Sequence, residues 1–213
     1  GGICIFIGLL ASQIYLNEFD KTITIVLIAS SLMLILGVCD DVINLTAKKK
    51  LVIQSILVTL TIYFTDIKIK SLGHLFGLTN EIELGFFSLP FTVIAIIGLT
   101  NAFNMIDGID GLAGGLAIIA CIGILISNLF LENSIFTNIL LGIISSLVPF
   151  LIFNITSYKK LKIFLGDGGS LFLGFIISLA LVYNFGSVHN FTPAFALWCV
   201  TIPLFDFLIT TLL

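Results

Sequence analysis

The sequence has little charge and no arginine. Only 10% of its 213 residues are charged, against about 25% in soluble domains. All nine basic residues are lysine, and the net charge is −3. No basic patch with interleaved aromatic residues exists, so the composition argues against a nucleic-acid partner. With 59% hydrophobic residues and a mean hydropathy of +1.24, the sequence instead indicates a protein that spans a membrane several times.

Cysteine is also scarce, and its spacing excludes two kinds of site. The four residues, Cys4, Cys39, Cys121 and Cys199, lie in apolar runs without CxxC or metal-type spacing. We expect small buried hydrophobic side chains rather than disulfides. An initiator methionine, a charged n-region and a cleavage signal are absent too. Because apolar patterns run to both ends, we expect residues 1–213 to form a single domain that is part of a longer protein.

Long apolar runs are what the sequence has in quantity. A helix needs about 20 apolar residues to cross a bilayer, with a range of about 17–25. Eight runs approach this length, which predicts an all-α polytopic bundle with about eight transmembrane helices. They are residues 1–17, 22–39, 51–67, 88–104, 112–131, 135–154, 169–188 and 194–213. The one sizeable connection, residues 68–87, is expected to form a short interfacial hairpin or helix.

Successive spans cross the membrane in opposite directions, so each connection between them can be assigned to one side. Loops 40–50, 105–111 and 155–168 fall on the same side, and they hold six of the nine lysines. An excess of lysine marks the cytoplasmic side of a membrane protein. The sequence therefore predicts that these three loops face the cytoplasm.

Two adjacent aspartates, Asp40 and Asp41, end the second apolar run. Carboxylates at a helix C-terminus oppose the helix dipole, and adjacent like charges repel. One interpretation is an exposed, solvated pair near the lysines 48–50. The other is a site at which a divalent cation or a cationic partner offsets the cost. Lys48 and Lys50 are likewise either positive-inside anchors or charges that hold a phosphate.

Residues 101–115, NAFNMIDGIDGLAGG, place four polar side chains three positions apart: Asn101, Asn104, Asp107 and Asp110. On a helix these positions share a face that drifts slowly round the axis. The glycines that follow let a ligand approach the backbone closely. The alternative is an ordinary polar loop with capping Asn and Asp residues.

Asp167 lies in a glycine-rich segment ahead of a helix that is expected to start near Ser170. It is either an N-cap aspartate or a metal ligand beside free backbone N–H groups, where a phosphate binds readily. Both interpretations can hold together. Aspartates from three loops are thus expected at one membrane depth. This arrangement favours metal-assisted phosphoryl chemistry on a membrane-bound substrate. A cation or proton transporter is the alternative from another class, but its site would lie near the bilayer midplane.

Three motifs together resemble the polyprenyl-phosphate N-acetylhexosamine-1-phosphate transferases of glycosyltransferase family 4. They are DDVINLTAKKK (40–50), NAFNMIDGIDGLAGG (101–115) and FLGDGGSLFLGF (164–175). They stand in the family's order and on the predicted face. In sequence they are most similar to the motifs of the bacterial branch, which uses UDP-GlcNAc and undecaprenyl phosphate. The phospho-MurNAc-pentapeptide branch of peptidoglycan synthesis is the alternative.

The resemblance implies a reaction and a set of roles. The lipid phosphate attacks the β-phosphorus of the UDP-sugar and UMP leaves, at the cytoplasmic face of the bacterial inner membrane. This is the first membrane step of cell-envelope polysaccharide synthesis. Mg²⁺ or Mn²⁺ is implied, with Asp167 and Asp107 as ligands, and Asp40 and Asp41 are implied as catalytic groups. The positions implied for substrate binding are Lys48, Lys50, Asn101, Asn104, Asp107 and Asp110.

The sequence departs from the family pattern at one position and in its extent. Asn44 stands where many members have Asp. Family members continue into a last cytoplasmic loop with a histidine-containing motif, whereas this sequence ends at Leu213. A catalytically inactive assembly subunit is therefore a third hypothesis. The partners implied are a UDP-sugar, a polyprenyl phosphate, the bilayer and a second copy in a homodimer.

Overall fold

The computed structural model describes residues 1–17, 19–73, 82–128, 135–158, 160–187 and 193–212, without the side chains of 185–187, 193–194 and 212. Within these ranges the regular structure is helical, apart from one isolated β-bridge and a short 3₁₀ turn at Gly85–Phe87. The helices are α1 (Gly2–Leu16), α2 (Lys21–Ile43), α3 (Ala47–Thr65), α4 (Ser88–Ile106), α5 (Leu112–Asn128), α6 (Phe136–Ile155), α7 (Gly166–Ser187), α8 (Pro193–Cys199) and α9 (Thr201–Leu212).

Each of the first seven predicted spans coincides with one helix, α1 to α7, with ends displaced by up to four residues. The eighth, 194–213, is wrong as a single helix, because α8 ends at Cys199 and α9 begins at Thr201. Pro203 accounts for the break. A proline has no N–H for the carbonyl four residues earlier and its ring clashes with that carbonyl, here that of Cys199. In the first turn of α9 the missing N–H costs nothing.

Four helices in the described part of the chain are long and apolar enough to cross a membrane. They are α2, the stretch Gly85–Ile106, α6 and the stretch Gly166–Asn184 of α7. Three others, α1, α5 and α9, are apolar but shorter, and α3 opens with three lysines. The all-helical class is therefore confirmed, whereas the number of about eight spans stays a prediction, as does the single domain.

Helix α7 lies at the centre of the bundle. It packs against α1, α2, α4 and α5, and residues 168–182 are all buried. Its N-terminus comes so close to two neighbours that they need glycine. A Cβ on Gly37 of α2 would lie 2.5 Å from the carbonyl carbon of Asp167, and one on Gly2 of α1 would lie 2.5 Å from the nitrogen of Gly169. Any side chain at Gly2 or Gly37 would push the start of α7 away.

The predicted hairpin in the 68–87 connection is confirmed where the structure describes it. Ser71 and Glu83 form an antiparallel bridge, and residues 74–81 lie outside the described part. The connection leads into α4 at the end of the bundle opposite to the start of α7.

The cysteines are free thiols, as the spacing predicts. Their predicted burial is right for Cys121 only, because Cys4 and Cys39 are exposed and Cys199 is half-buried. Cys4 and Cys39 therefore lie on the outer surface of the bundle.

Candidate active site

One end of the bundle brings together four helix ends that carry polar side chains. Helices α2 and α4 end there, and α3 and α7 begin there. These ends supply Asp40, Lys50, Asn104 and Asp167, which contact one another directly. The three predicted loops therefore converge at one end of the bundle, and that this end faces the cytoplasm stays a prediction. Lys159, one of the lysines that assigned the side, lies outside the described residues.

Lys50 is the centre of this cluster. Its Nζ lies 2.7 Å from Asp40 Oδ2 and 3.1 Å from Asp167 Oδ2, and it donates a 2.9 Å hydrogen bond to Asn104 Oδ1. The residue is only 9% exposed. A buried ammonium is costly unless it is paired, and these oxygens match its three N–H donors. The surface-anchor interpretation is therefore wrong for Lys50, whereas it suits the exposed Lys48.

Asn104 uses both ends of its amide in the cluster. Its Oδ1 accepts the bond from Lys50, and its Nδ2 donates to Asp167 Oδ1 at 2.9 Å and to Ser170 Oγ at 3.0 Å. The carboxylate of Asp167 is thereby fixed between an ammonium and an amide. Because α7 already begins at Gly166, Asp167 lies inside its first turn and does not cap it. The contact of Ser170 with the site was not predicted.

The end of α2 explains the orientation of Asp40. Asn44 adopts the left-handed conformation, with φ of 48°, which Asn tolerates better than most residues. The next N–H, that of Leu45, then turns back and donates to Asp40 Oδ1 at 2.8 Å. Lys50 holds the other oxygen. The Asp40 side chain is 10% exposed, so the solvated-pair interpretation is wrong for it.

Asp41 faces a different partner, the N-terminus of α7. Its Oδ1 accepts the N–H of Asp167 at 3.0 Å, and its Oδ2 accepts the N–H of Gly168 at 3.4 Å. A carboxylate at this position satisfies free N–H groups and interacts favourably with the helix dipole. Asp41 thus caps α7 from a neighbouring helix, whereas Asp40 pairs with Lys50. A catalytic role for either stays a prediction.

Asp107 lies beside this cap, at the C-terminus of α4. Burial, followed by repulsion from Asp167, raises the pKa of Asp107 to about 7. Asp41 and Asp110 add smaller repulsive contributions, and a hydrogen bond from the backbone of Gly166 opposes them. Burial is the larger cause, so the raised pKa reflects a carboxylate that has lost solvent, with a smaller contribution from the acidic side chains nearby.

Asp110 lies at the edge of the site, in the turn after α4. It forms an ion pair with Lys162, whose Nζ is also 5.3 Å from the centroid of the Phe164 ring. Both partners are partly exposed. The pair connects the loop before α5 with the loop before α7.

Asn101 lies one turn deeper in the bundle than Asn104. Its Nδ2 donates to Gln54 Oε1 and to the carbonyl of Ile97, both at 2.8 Å. Gln54 is fully buried, so this amide pair joins α3 to α4 below the cluster. Gln54 was missed, although it lies four residues after Lys50 and so shares its helix face. A role for Asn101 in substrate binding stays a prediction.

Asn154, at the end of α6, was also missed. It accepts the N–H of Gly111 and donates to the carbonyl of Ile163 at 2.8 Å. An asparagine at the end of an apolar run is typical of a helix end, so the sequence offers no signal for these contacts between loops.

The carboxylates suit a divalent cation only if a substrate completes its coordination. In the described ranges, no three Asp, Glu, His or Cys side chains are grouped so that they could hold a metal ion. Mg²⁺, however, usually takes one or two carboxylates together with water and substrate phosphates. Asp107 and Asp167 lie close enough to repel each other, and that they bind a metal ion together stays a prediction.

Fold and site together define a helical protein of membrane type with a polar, acidic centre at one end. The profile of glycosyl transferase family 4 matches residues 23–184, a range that contains the entire cluster around Lys50. The chain belongs to glycosyl transferase family 4.

Its relatives carry closely similar names. The chain is 37% identical over 208 residues to the probable undecaprenyl-phosphate N-acetylglucosaminyl 1-phosphate transferase of Bacillus subtilis (strain 168), covering 97% of this chain and 57% of the relative. It is 31% identical over 211 residues to the undecaprenyl-phosphate alpha-N-acetylglucosaminyl 1-phosphate transferase of Yersinia pestis, again covering 97% and 57%. The protein of that name from Escherichia coli (strain K12) is 30% identical over 208 residues, covering 97% and 56%. The chain thus spans little more than half the length of these relatives.

Proposed function

We propose that the full-length protein transfers N-acetylglucosamine-1-phosphate from UDP-N-acetylglucosamine to undecaprenyl phosphate and releases UMP. A bond forms between an oxygen of the lipid phosphate and the β-phosphorus, and the bond from that phosphorus to the oxygen of the α-phosphate breaks. The product would be the first lipid-linked intermediate of a cell-envelope polysaccharide. Membership of the family and the names of the relatives support this reaction.

The observation that carries the proposal is the buried cluster around Lys50. Two carboxylates, one ammonium and one amide from four helix ends meet where the spans end. A transporter site would need such groups near the middle of the spans. Groups at the helix ends, by contrast, are placed to receive a water-soluble nucleotide and the phosphate of a membrane lipid together.

The residues divide the work by their contacts. Lys50 would bind phosphate oxygens as a point charge, and so would the exposed Lys48 two residues earlier. Asp40 would orient or activate the lipid phosphate, while Asp41 keeps α7 in place. Asn101, Asn104 and Asp110 would line the nucleotide-sugar site. A phosphate that approached Lys50 would compete for the ammonium with the two carboxylates it now holds.

A divalent cation belongs to this proposal. Asp107 and Asp167 would hold Mg²⁺ or Mn²⁺, which would neutralise charge on the pyrophosphate during transfer. We also propose that the helices form about eight spans in a bacterial inner membrane, with the Lys50 cluster at the cytoplasmic surface. The lysine-rich loops at that end support this orientation. A homodimer stays a prediction.

The test uses the full-length protein in proteoliposomes with undecaprenyl phosphate and radiolabelled donors. We expect release of UMP and labelled lipid from UDP-GlcNAc, dependent on Mg²⁺, and little from UDP-MurNAc-pentapeptide. Asp167→Asn should lower turnover at least about 10³-fold, as loss of a principal charge-stabilising group does. The matched control is Asp66→Asn, because Asp66 pairs with Lys68 at the other end of the bundle.

Two outcomes would count against the proposal. No UMP from any UDP-sugar would overturn the reaction, and turnover of Asp167→Asn near that of the control would overturn the metal assignment.

A further inference from the structure

Two loops at this end of the bundle position the carboxylates near the proposed cation: one contains Asp107, and the other immediately precedes the first turn of α7, which holds Asp167. The turn 107–111 joins α4 to α5 and begins with Asp107. The loop 156–165 joins α6 to α7 and leads directly into Asp167. Loops are more mobile than the helices that they connect. The relative position of these two loops therefore depends on contacts that hold them together.

The side chain of Asn154 contacts both loops at once. Its Oδ1 accepts the N–H of Gly111, the last residue of the turn, and its Nδ2 donates to the carbonyl of Ile163 in the loop. Asn154 itself is on the last turn of α6 and only 5% exposed. Ile163 returns a backbone hydrogen bond to the carbonyl of Phe153, at 3.3 Å. One buried side chain therefore fastens both loops to the same helix end.

The chemistry of this contact calls for an amide. One loop presents a donor and the other an acceptor, so the side chain between them must accept and donate at fixed reach. A carboxylate could accept from Gly111 but would face the carbonyl of Ile163 without a proton to donate. Leucine has nearly the same shape and can do neither, which would leave the N–H of Gly111 and the carbonyl of Ile163 without this partner.

A second tie between the loops, the ion pair of Asp110 with Lys162, is of a different kind. Its side chains are 42% and 26% exposed, and ion pairs in contact with water are weak and screened by salt. The neutral amide of Asn154 is buried and keeps its strength in salt. The two ties can therefore be separated by changing the ionic strength.

We propose that Asn154 is a positioning residue that fixes the turn carrying Asp107 relative to the loop leading into Asp167. It touches no substrate and acts through the two loops. Its importance for turnover rests on the proposed function, because it matters only if both carboxylates serve one substrate site. The fastening of the loops does not rest on that function.

Two variants of the full-length protein divide the contact into its halves. Asn154→Leu removes both hydrogen bonds, and Asn154→Asp keeps an acceptor for Gly111 and loses the donor to Ile163. Asn128→Leu is the matched control. Asn128 is equally buried, lies at the opposite end of the α5 and α6 pair, and donates to Thr137 at 3.2 Å.

The first measurement is backbone hydrogen exchange without substrate. In Asn154→Leu we expect amides of both loops to exchange about tenfold faster, because each loop loses one hydrogen bond to Asn154. In Asn154→Asp we expect the rise in the loop 156–165 and protection in the turn 107–111. The control should leave both loops as in the unaltered protein.

The second measurement is transfer from UDP-GlcNAc at about 50 and about 500 mM KCl. We expect kcat of Asn154→Leu to fall about 10²-fold, as misplacement of reacting groups by about 1 Å does, with a smaller change in KM. The loss should deepen at high salt, where the Asp110–Lys162 pair is screened. The control should keep the salt response of the unaltered protein.

The outcomes are distinguishable. The proposal would be overturned if both loops of Asn154→Leu exchanged at the rate of the unaltered protein. It would also be overturned if exchange rose throughout the bundle and Asn154→Leu lost no more activity than the control Asn128→Leu. If the unaltered protein transfers no sugar phosphate, the proposed function fails, and a rise confined to the two loops would still support the role of Asn154.

Discussion

At the scale of single residues, Lys50 joins two carboxylates that would otherwise repel each other. Its ammonium holds Asp40 and Asp167 within 2.7 and 3.1 Å, and the side chains of Lys50 and Asp40 are almost excluded from solvent. Removing one member of a buried pair is expensive because the partner charge stays behind. The same lysine thus contributes both to the proposed chemistry and to stability.

Lys50→Met should therefore destabilise the protein by about 3 kcal/mol. Lys48→Met is the control, because Lys48 is exposed and surface lysines contribute less than about 0.5 kcal/mol. Apparent melting temperatures of both variants in detergent would measure the difference. Equal melting temperatures would show that the cluster around Lys50 adds nothing to stability.

Asp107 connects the charge of the site with pH. Its pKa is raised from 3.8 to about 7 in the folded protein, so between these values the folded state holds a proton that the unfolded chain has released. Folding therefore takes up a proton in this window, and stability falls as pH rises through it. For a partly exposed group we expect about 1–2 kcal/mol after screening by solvent.

Asp107→Asn should abolish most of this pH dependence. The measurement is the melting temperature of the metal-free protein at about pH 5 and about pH 8. The unaltered protein should lose stability on going to the higher pH, and Asp107→Asn should lose less. Asp20→Asn, at an exposed position on the other end of the bundle, serves as control. An identical decline in all three proteins would refute the argument.

At the scale of elements, the start of α7 depends on its neighbours. Asp41 of α2 satisfies its first N–H groups, and Gly37 of the same helix leaves room for its backbone. One turn of α2 thus both admits α7 and caps it. The position of Asp167 follows from this crossing as much as from its own hydrogen bonds.

Gly37→Ala should separate α2 from α7, because its Cβ would lie 2.5 Å from the carbonyl carbon of Asp167. We expect the free energy of unfolding to fall by about 3 kcal/mol or more, since the atoms that the Cβ would meet belong to the backbone of α7 and cannot rotate away. Gly98→Ala in α4 is the matched control. Its Cβ meets no atom within 4 Å, so helix propensity should make it neutral or more stable by up to about 1 kcal/mol. The melting temperature should fall for Gly37→Ala and should stay the same or rise for Gly98→Ala.

Most of the helices could be predicted from sequence because each is an uninterrupted apolar run. The apolar pattern does not tell how a run divides, which is why 194–213 was predicted as one helix although Pro203 forces a break after Cys199. It also cannot tell which runs face protein. Residues 168–182 are buried on all sides, yet their hydrophobicity is like that of the other helices.

The site could be predicted as a collection of residues but not as a set of contacts. The aspartates and Lys50 stood out because charges are rare in this chain. That Asp40 binds Lys50 while Asp41 caps α7 depends on the left-handed turn at Asn44. Gln54 and Asn154 went unnoticed because a neutral amide in an apolar run carries no charge signal and its partner is distant in sequence.

At the scale of the whole molecule, aromatic side chains lie at the end away from Lys50. Phe86 and Phe87 precede α4, and Tyr63 and Phe64 end α3, and all four are exposed. Aromatic residues are enriched where a membrane meets water. Tyr158 and Phe164 are exposed at the Lys50 end as well, so exposed aromatic residues lie at both ends of the bundle, as is typical of proteins that span a membrane.

Labelling of intact cells with a membrane-impermeant maleimide would test the proposed orientation, in which the Lys50 cluster lies at the cytoplasmic surface. Single cysteines would be introduced as Lys48→Cys, Tyr158→Cys and Phe86→Cys, in a full-length background without native cysteines. We expect labelling at position 86 only, and at 48 and 158 after the membrane is opened. Labelling of all three in intact cells would refute a cytoplasmic position for the cluster.

The central place of α7 also has a consequence for biosynthesis. Asp40, Lys50 and Asn104 leave the ribosome before Asp167, because their helices precede α7 in the chain. Until α7 is in place, Asp41 has no helix N-terminus to cap, and Gly2 and Gly37 have no backbone of α7 to pack against. The cluster around Lys50 is therefore complete only once α7 is in place, and a nascent chain that stops short of residue 166 holds Asp40 and Lys50 without Asp167.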